Sequence, residues 1–167
     1  AIVGWLVTYF QDVGVLSADH AQMMNSLLWL VIFIGRMVGA AVTGKVSRSR
    51  ILMADGVGLF VFFLVMFFSR TAGHVVLGLV GVGFFMATIY PTAFAFGSDC
   101  IKGNDLGCSI MIFTGSAGGI ITPAMVGFVA ERAGIRAGMG LILAYTALLL
   151  LSVILSVASV QGAKSIE

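Results

Sequence analysis

Five runs of about twenty apolar residues, divided by short polar breaks, constrain this chain more than any other feature. A helix rising about 1.5 Å per residue needs roughly that length to cross the hydrocarbon of a bilayer. The full-length runs cover residues 22–46, 51–68, 74–97, 107–130 and 138–160. A sixth, at 1–13, is half a span before the break at Gln11-Asp12-Val13-Gly14, and Ser17 reads as the N-cap of the helix that follows. The rest of that first helix is expected to lie outside these residues; a re-entrant segment is the alternative reading. The fold class is therefore all-α, a polytopic membrane bundle over residues 1–167.

Composition supports this and excludes most else. Of 167 residues, 60% are apolar and 10% charged, with a mean hydropathy of +1.13. A soluble domain carries about 25% charge. An ordinary soluble enzyme and a nucleic-acid partner are excluded; the lipid bilayer is the first partner. The net charge of +2 contains no polybasic arm. Cys100 and Cys108 fit no metal-ligand spacing and are not expected to form a disulfide. No metal and no cofactor is expected. The spans hold no His-Glu metal box, no paired acids and no Ser/His pair, so enzyme chemistry has no carrier. No cleavable signal peptide is evident at the start.

Lys and Arg in the connecting segments set the orientation. Lys45, Arg48, Arg50, Lys102 and Lys164 fall on one side, and Arg70, Arg132 and Arg136 on the other. The first set is expected in the cytoplasm, together with the C-terminus, in an inner membrane of bacterial type.

Polar groups inside spans face protein or a wet cavity, because hydrocarbon offers them no partner. In the second span Gln22, Asn25, Ser26, Trp29, Phe33, Arg36 and Thr43 recur at helical spacing. Hydrogen-bonding groups, an aromatic plate and a cation on one stripe have the composition of a ligand cavity wall. Helix–helix contact, with Arg36 in a structural ion pair, explains the stripe as well. Trp5, Thr8, Tyr9 and Asp12 repeat the pattern in the half span, as a ligand wall or as interfacial belt residues.

Asp55 is the one acid within these spans and would be costly without a partner. Arg36, Lys45, Arg48 or Arg50 is the expected partner, in a structural or gating ion pair; a proton-carrying role is the alternative. Gly35 and Gly39, Gly78, Gly81 and Gly83, and Gly115, Gly118 and Gly119 let membrane helices approach closely. Pro91 and Pro123 are expected to bend their helices. His74 reads as interfacial.

Gly35-Arg36-Met37-Val38-Gly39, followed by Gly44-Lys45-Val46-Ser47-Arg48-Ser49-Arg50, resembles the loop between spans eight and nine of the major facilitator superfamily, with Gly44 where an acid is usual. Ala87-Thr88-Ile89-Tyr90-Pro91-Thr92-Ala93-Phe94 resembles span ten. Gly115-Ser116-Ala117-Gly118-Gly119-Ile120-Ile121-Thr122-Pro123-Ala124-Met125-Val126-Gly127-Phe128 resembles span eleven, nearest in pattern to the fucose permease-like sugar–proton symporters. The resemblance implies spans seven to twelve of a twelve-helix secondary transporter working by alternating access, with an N-terminal six-helix half as the missing partner and a small-molecule substrate between the halves. It implies a cavity wall of Trp5, Tyr9, Asn25, Trp29, Tyr90 and Thr114. Amides, hydroxyls and aromatic plates suit a sugar-like solute, moved with a proton or another ion. A drug or metabolite exporter is the runner-up, given nine Met and thirteen Phe. A half-bundle that must dimerise is a third reading.

Overall fold

The computed structural model describes residues 2–12, 18–101 and 105–164. Ser17 and Lys102 lie outside the described residues, as do the side chains of Asp12, Cys100 and Lys164. Six helices follow one another: α1 (Ile2–Asp12), α2 (Ala18–Val42), α3 (Arg48–Phe68), α4 (Ala72–Cys100), α5 (Asp105–Ala133) and α6 (Ile135–Lys164). Among the described residues there is no strand. The last five helices are long and apolar enough to cross a membrane. The chain is an integral membrane protein of the all-α class.

Helix ends differ from the sequence expectation where turn chemistry outweighs hydropathy. α2 stops at Val42 rather than 46, because Gly44 turns the chain at φ +102 and Thr43 closes back on the Gly39 carbonyl. Only glycine adopts that conformation without strain. The same device joins α5 to α6 through Gly134 alone, at φ +86, where a linker from 131 to 137 was expected. Pro91 and Pro123 sit inside helices that continue beyond them. Each withholds an N–H from the turn before it.

Packing is uneven along the membrane normal. Leu6 and Phe10 of α1, Leu28 of α2, Phe63 and Met66 of α3, Leu79 and Val82 of α4, Val126 of α5 and Met139 of α6 form one dry core. It lies toward the end that carries the α3–α4 and α5–α6 turns, called the far end below. At the opposite end, marked by the basic α2–α3 turn, only Leu52, Val153 and Val157 make a small second cluster. The bundle opens there into clefts.

Close helix contacts converge on α4. A methyl group at Gly35 would lie 2.8 Å from the Phe84 carbonyl oxygen, and one at Gly78 would lie 2.8 Å from the Met66 backbone nitrogen. Gly39 receives Thr88, Gly58 the ring of Phe85 and Gly81 the ring of Phe62. The glycines at 35, 39, 58, 78 and 81 are thus contact surfaces, whereas Gly118 and Gly119 of α5 have open space above them. Gly78→Ala is expected to lower stability by about 1–3 kcal/mol, because the obstacle is backbone and cannot rotate away. Gly118→Ala should be neutral or gain up to about 1 kcal/mol of helix propensity. Thermal unfolding of the detergent-solubilised protein that carries this chain checks both; equal losses would contradict the packing.

Candidate functional site

Two clefts at the basic-turn end hold most of the polar groups. The first, about 570 Å³, separates α2 from α4. Arg36 and Ala40 line it from α2, Thr43 from the turn that follows, Thr88, Tyr90, Pro91 and Thr92 from α4, and Arg48 and Ile51 from α3. A step of four places Arg36 and Ala40 on one face of α2. The second cleft, about 550 Å³, lies between α4 and α6 and shares Tyr90 with the first. Ser152, Ser156 and Ser159 supply its hydroxyls among apolar neighbours such as Phe96 and Leu149. Tyr90, at 63% exposure, therefore stands between two open spaces. Its ring also faces α5, where a methyl at Gly115 would come within 3.7 Å.

The remaining expected ligand-wall residues do not gather around these clefts. Trp29 is on α2 and 55% exposed. Asn25 lies a further turn toward the far end, about 16 Å along the axis from Arg36. Its Oδ1 is buried with no hydrogen-bond partner among the described residues. Tyr9 is turned inward at 3% exposure and donates its hydroxyl to the Phe67 carbonyl at 3.2 Å. It ties α1 to the end of α3. Trp5 is half-buried beside Gly127, so its ring packs α1 against α5. Thr114 is exposed on α5, and its hydroxyl donates to the Ile110 carbonyl of its own helix at 2.8 Å.

Asp55 has a different partner from the one the sequence led us to expect. It is 5% exposed, and its Oδ2 accepts a hydrogen bond of 2.8 Å from the Thr88 hydroxyl on α4. Among the described residues no cation pairs with it. Arg36 faces the α2–α4 cleft, and Arg48 donates from Nη1 to the Ala95 carbonyl at 3.5 Å. Lys45 and Arg50 are exposed at the turn. The Thr88 methyl packs on Gly39 of α2 while its hydroxyl reaches Asp55 of α3. Sequence reasoning missed Thr88 and the α6 serines. A period of four and three at Ser152, Ser156 and Ser159 was the available signal; Thr88 offered none beyond a lone hydroxyl in an apolar run.

The site is a set of polar clefts in a six-helix membrane bundle, with no cluster of His, Cys, Asp or Glu able to hold a metal among the described residues. Two relatives of the chain are transporters by name. It is 30% identical over 133 residues to the L-fucose-proton symporter of Escherichia coli K12, covering 78% of this chain and 30% of that protein. It is 22% identical over 161 residues to an uncharacterized MFS-type transporter of Yersinia pestis, covering 96% and 41%. The human major facilitator superfamily domain-containing protein 4A is 24% identical over 122 residues, covering 71% and 24%. The chain thus spans between about a quarter and two fifths of the length of these curated relatives. No protein-family model matches it, and no solved structure does. The similarities are to the major facilitator superfamily and support a general transport role.

Thr88→Val keeps the shape that packs on Gly39 but leaves the Asp55 carboxyl without its donor. It is expected to cost about 1–3 kcal/mol of stability. Adding Asp55→Leu should recover part of that loss, since removing both partners leaves nothing unpaired. Unfolding midpoints of wild type, single and double variants test this; a double variant that falls by the sum of the single effects would show that the pair is not coupled.

Proposed function

We propose that the chain forms spans seven to twelve of a major facilitator superfamily secondary transporter, one of two halves that enclose a small polar solute and expose it alternately to each side. The observation that carries this reading is the α2–α4 cleft. It sets a guanidinium, hydroxyls and an aromatic ring against apolar walls at membrane depth. Similarity to a named proton symporter of a sugar favours a sugar-like solute and a proton or another ion as the coupling species.

In this reading Arg36 and Tyr90 are the central contacts, with Trp29 and Thr114 on the rim toward the N-terminal half. Arg36 offers a planar fork of donors to a pair of oxygens, and Tyr90 a stacking plate and a hydroxyl. Asn25 makes no direct solute contact in this reading, because its unpaired Oδ1 is enclosed within the bundle. Trp5 and Tyr9 act by holding α1 in place. Asp55, with Thr88, holds α3 to α4 beside the basic turn, and Lys45, Arg48 and Arg50 line the cytoplasmic side of the gate. Pro91 lets α4 flex at the cleft. Pro123 gives α5 the same freedom.

A second reading, an exporter of bulky apolar solutes, draws on Phe33 and Met37, both largely exposed on either side of Arg36. Solute uptake by the full transporter in proteoliposomes separates the two. Tyr90→Ala and Trp29→Ala are each expected to weaken solute affinity by an amount worth about 1–3 kcal/mol. Arg36→Lys should be poorly tolerated if the fork holds two oxygens. Affinity unchanged in all three would take α2 and α4 out of the site. Competition by bulky apolar cations but not by sugars would favour the exporter.

A further inference from the structure

A third crevice, about 220 Å³, lies across α2 from the solute cleft, between α2, α3 and α4. Val38 and Val42 line it from α2, Ala54 from α3 and Phe84 from α4, with Val46 and Arg50 at its mouth. Gly35 and Val42, seven residues apart on α2, both line it, so the crevice follows the helix for about 10 Å. Apart from Asp55, Thr88 and Arg50, its lining is apolar. Its inner end is closed by Asp55, whose carboxyl is already engaged by Thr88.

The mouth differs sharply in charge. Arg50 is exposed there, and Lys45, next to Val46 in the turn, is exposed without lining the crevice itself; neither has an acidic partner among the described residues. Arg48 is excluded from this mouth, because its guanidinium reaches across the opposite cleft to the Ala95 carbonyl. An apolar slot at membrane depth beneath two cations at the water boundary is complementary to one kind of molecule: a lipid with a negative headgroup and a hydrocarbon tail.

We propose that this crevice binds an anionic phospholipid from the leaflet at the basic turn, its phosphate on Lys45 and Arg50 and one acyl chain along Val38, Val42 and Ala54. The Asp55 carboxyl at the inner end keeps the phosphate at the mouth. A bound lipid braces the α2–α3 turn against α4 beside the gate. The site requires only that the chain spans a bilayer, so it stands apart from the identity of the transported solute.

Native mass spectrometry of the full protein, offered phosphatidylglycerol and phosphatidylcholine with the same acyl chains, tests the site. Preferential retention of phosphatidylglycerol is expected. Lys45→Gln with Arg50→Gln should lower that preference by about fivefold for each cation removed. Arg136→Gln, at the far end, should leave it unchanged. Val42→Trp fills the slot without touching the charges and should lower retention of phosphatidylglycerol. The charge-keeping pair Lys45→Arg with Arg50→Lys should preserve the preference, which guards against a variant that fails only by misfolding. Equal retention of the two lipids by the wild type would overturn the proposal, as would a preference that survives loss of both cations. Displacement of the lipid by inorganic phosphate would also overturn it, by showing a free-anion site. Solute uptake measured on the same preparations keeps the two readings separable: lipid preference without uptake leaves this site standing and counts against the transport reading alone.

Discussion

Helices in hydrocarbon gain little by hiding apolar surface from one another, because lipid is as apolar as leucine. Something other than burial must hold this bundle together, and the close approach of α4 to α2 and α3 does so. Gly35 lies against the Phe84 carbonyl and Gly78 against the Met66 backbone, so main chains meet at distances that any side chain would prevent. Dispersion contacts over such surfaces are individually weak and collectively large. The remaining helices hang on this core: α6 reaches it through α3, α5 through α6, and α1 through α2 and α6.

The position of polar chemistry follows from that contact. Where α2 and α4 touch at Gly39 and Thr88, the Thr88 hydroxyl is delivered to Asp55 on α3, and a buried carboxyl is satisfied without any cation. Beside the contact and toward the basic turn the cleft opens, lined by Arg36 and Tyr90 and then by Thr43, Arg48, Thr92 and Ala95. One steric feature thus sets both the paired acid and the open polar groove on either side of it. With Asp55 satisfied by Thr88, Lys45 and Arg50 of the α2–α3 turn stay exposed at the membrane surface.

Much of the fold was legible in the sequence because length and hydropathy alone decide a membrane span. The five spans found by reading apolar runs are helices α2 to α6, with ends displaced by local turn chemistry at Gly44 and Gly134. The site was less legible. Period along one helix tells which residues share a face, but not what that face meets. Tyr9 and Trp5 share a stripe with polar residues and still point into packing, against Phe67 and Gly127, because α1 is clasped between its neighbours. The Asp55–Thr88 pair joins residues 33 apart on different helices, a contact that no single-helix pattern encodes. Glycines show the same limit: Gly35 and Gly118 look alike as letters, yet only the first is covered.

The unevenness of the packing carries the functional argument one step further. The far end is locked by a continuous core and by one-residue and short turns, while the basic-turn end has three clefts and only a small cluster beneath them. Helices pinned at one end and loose at the other can change separation at the loose end at low cost, because few close contacts must break. Pro91 stands on α4 at the level where the core gives way to the clefts, and the backbone bond it withholds from the preceding turn weakens the helix there. A pivot at the far end, a soft point at Pro91 and polar clefts beyond it are the parts that a rocking half-bundle needs. Gly78, close-packed on the Met66 backbone, lies at the locked end, and the clefts lie where such contacts are fewer.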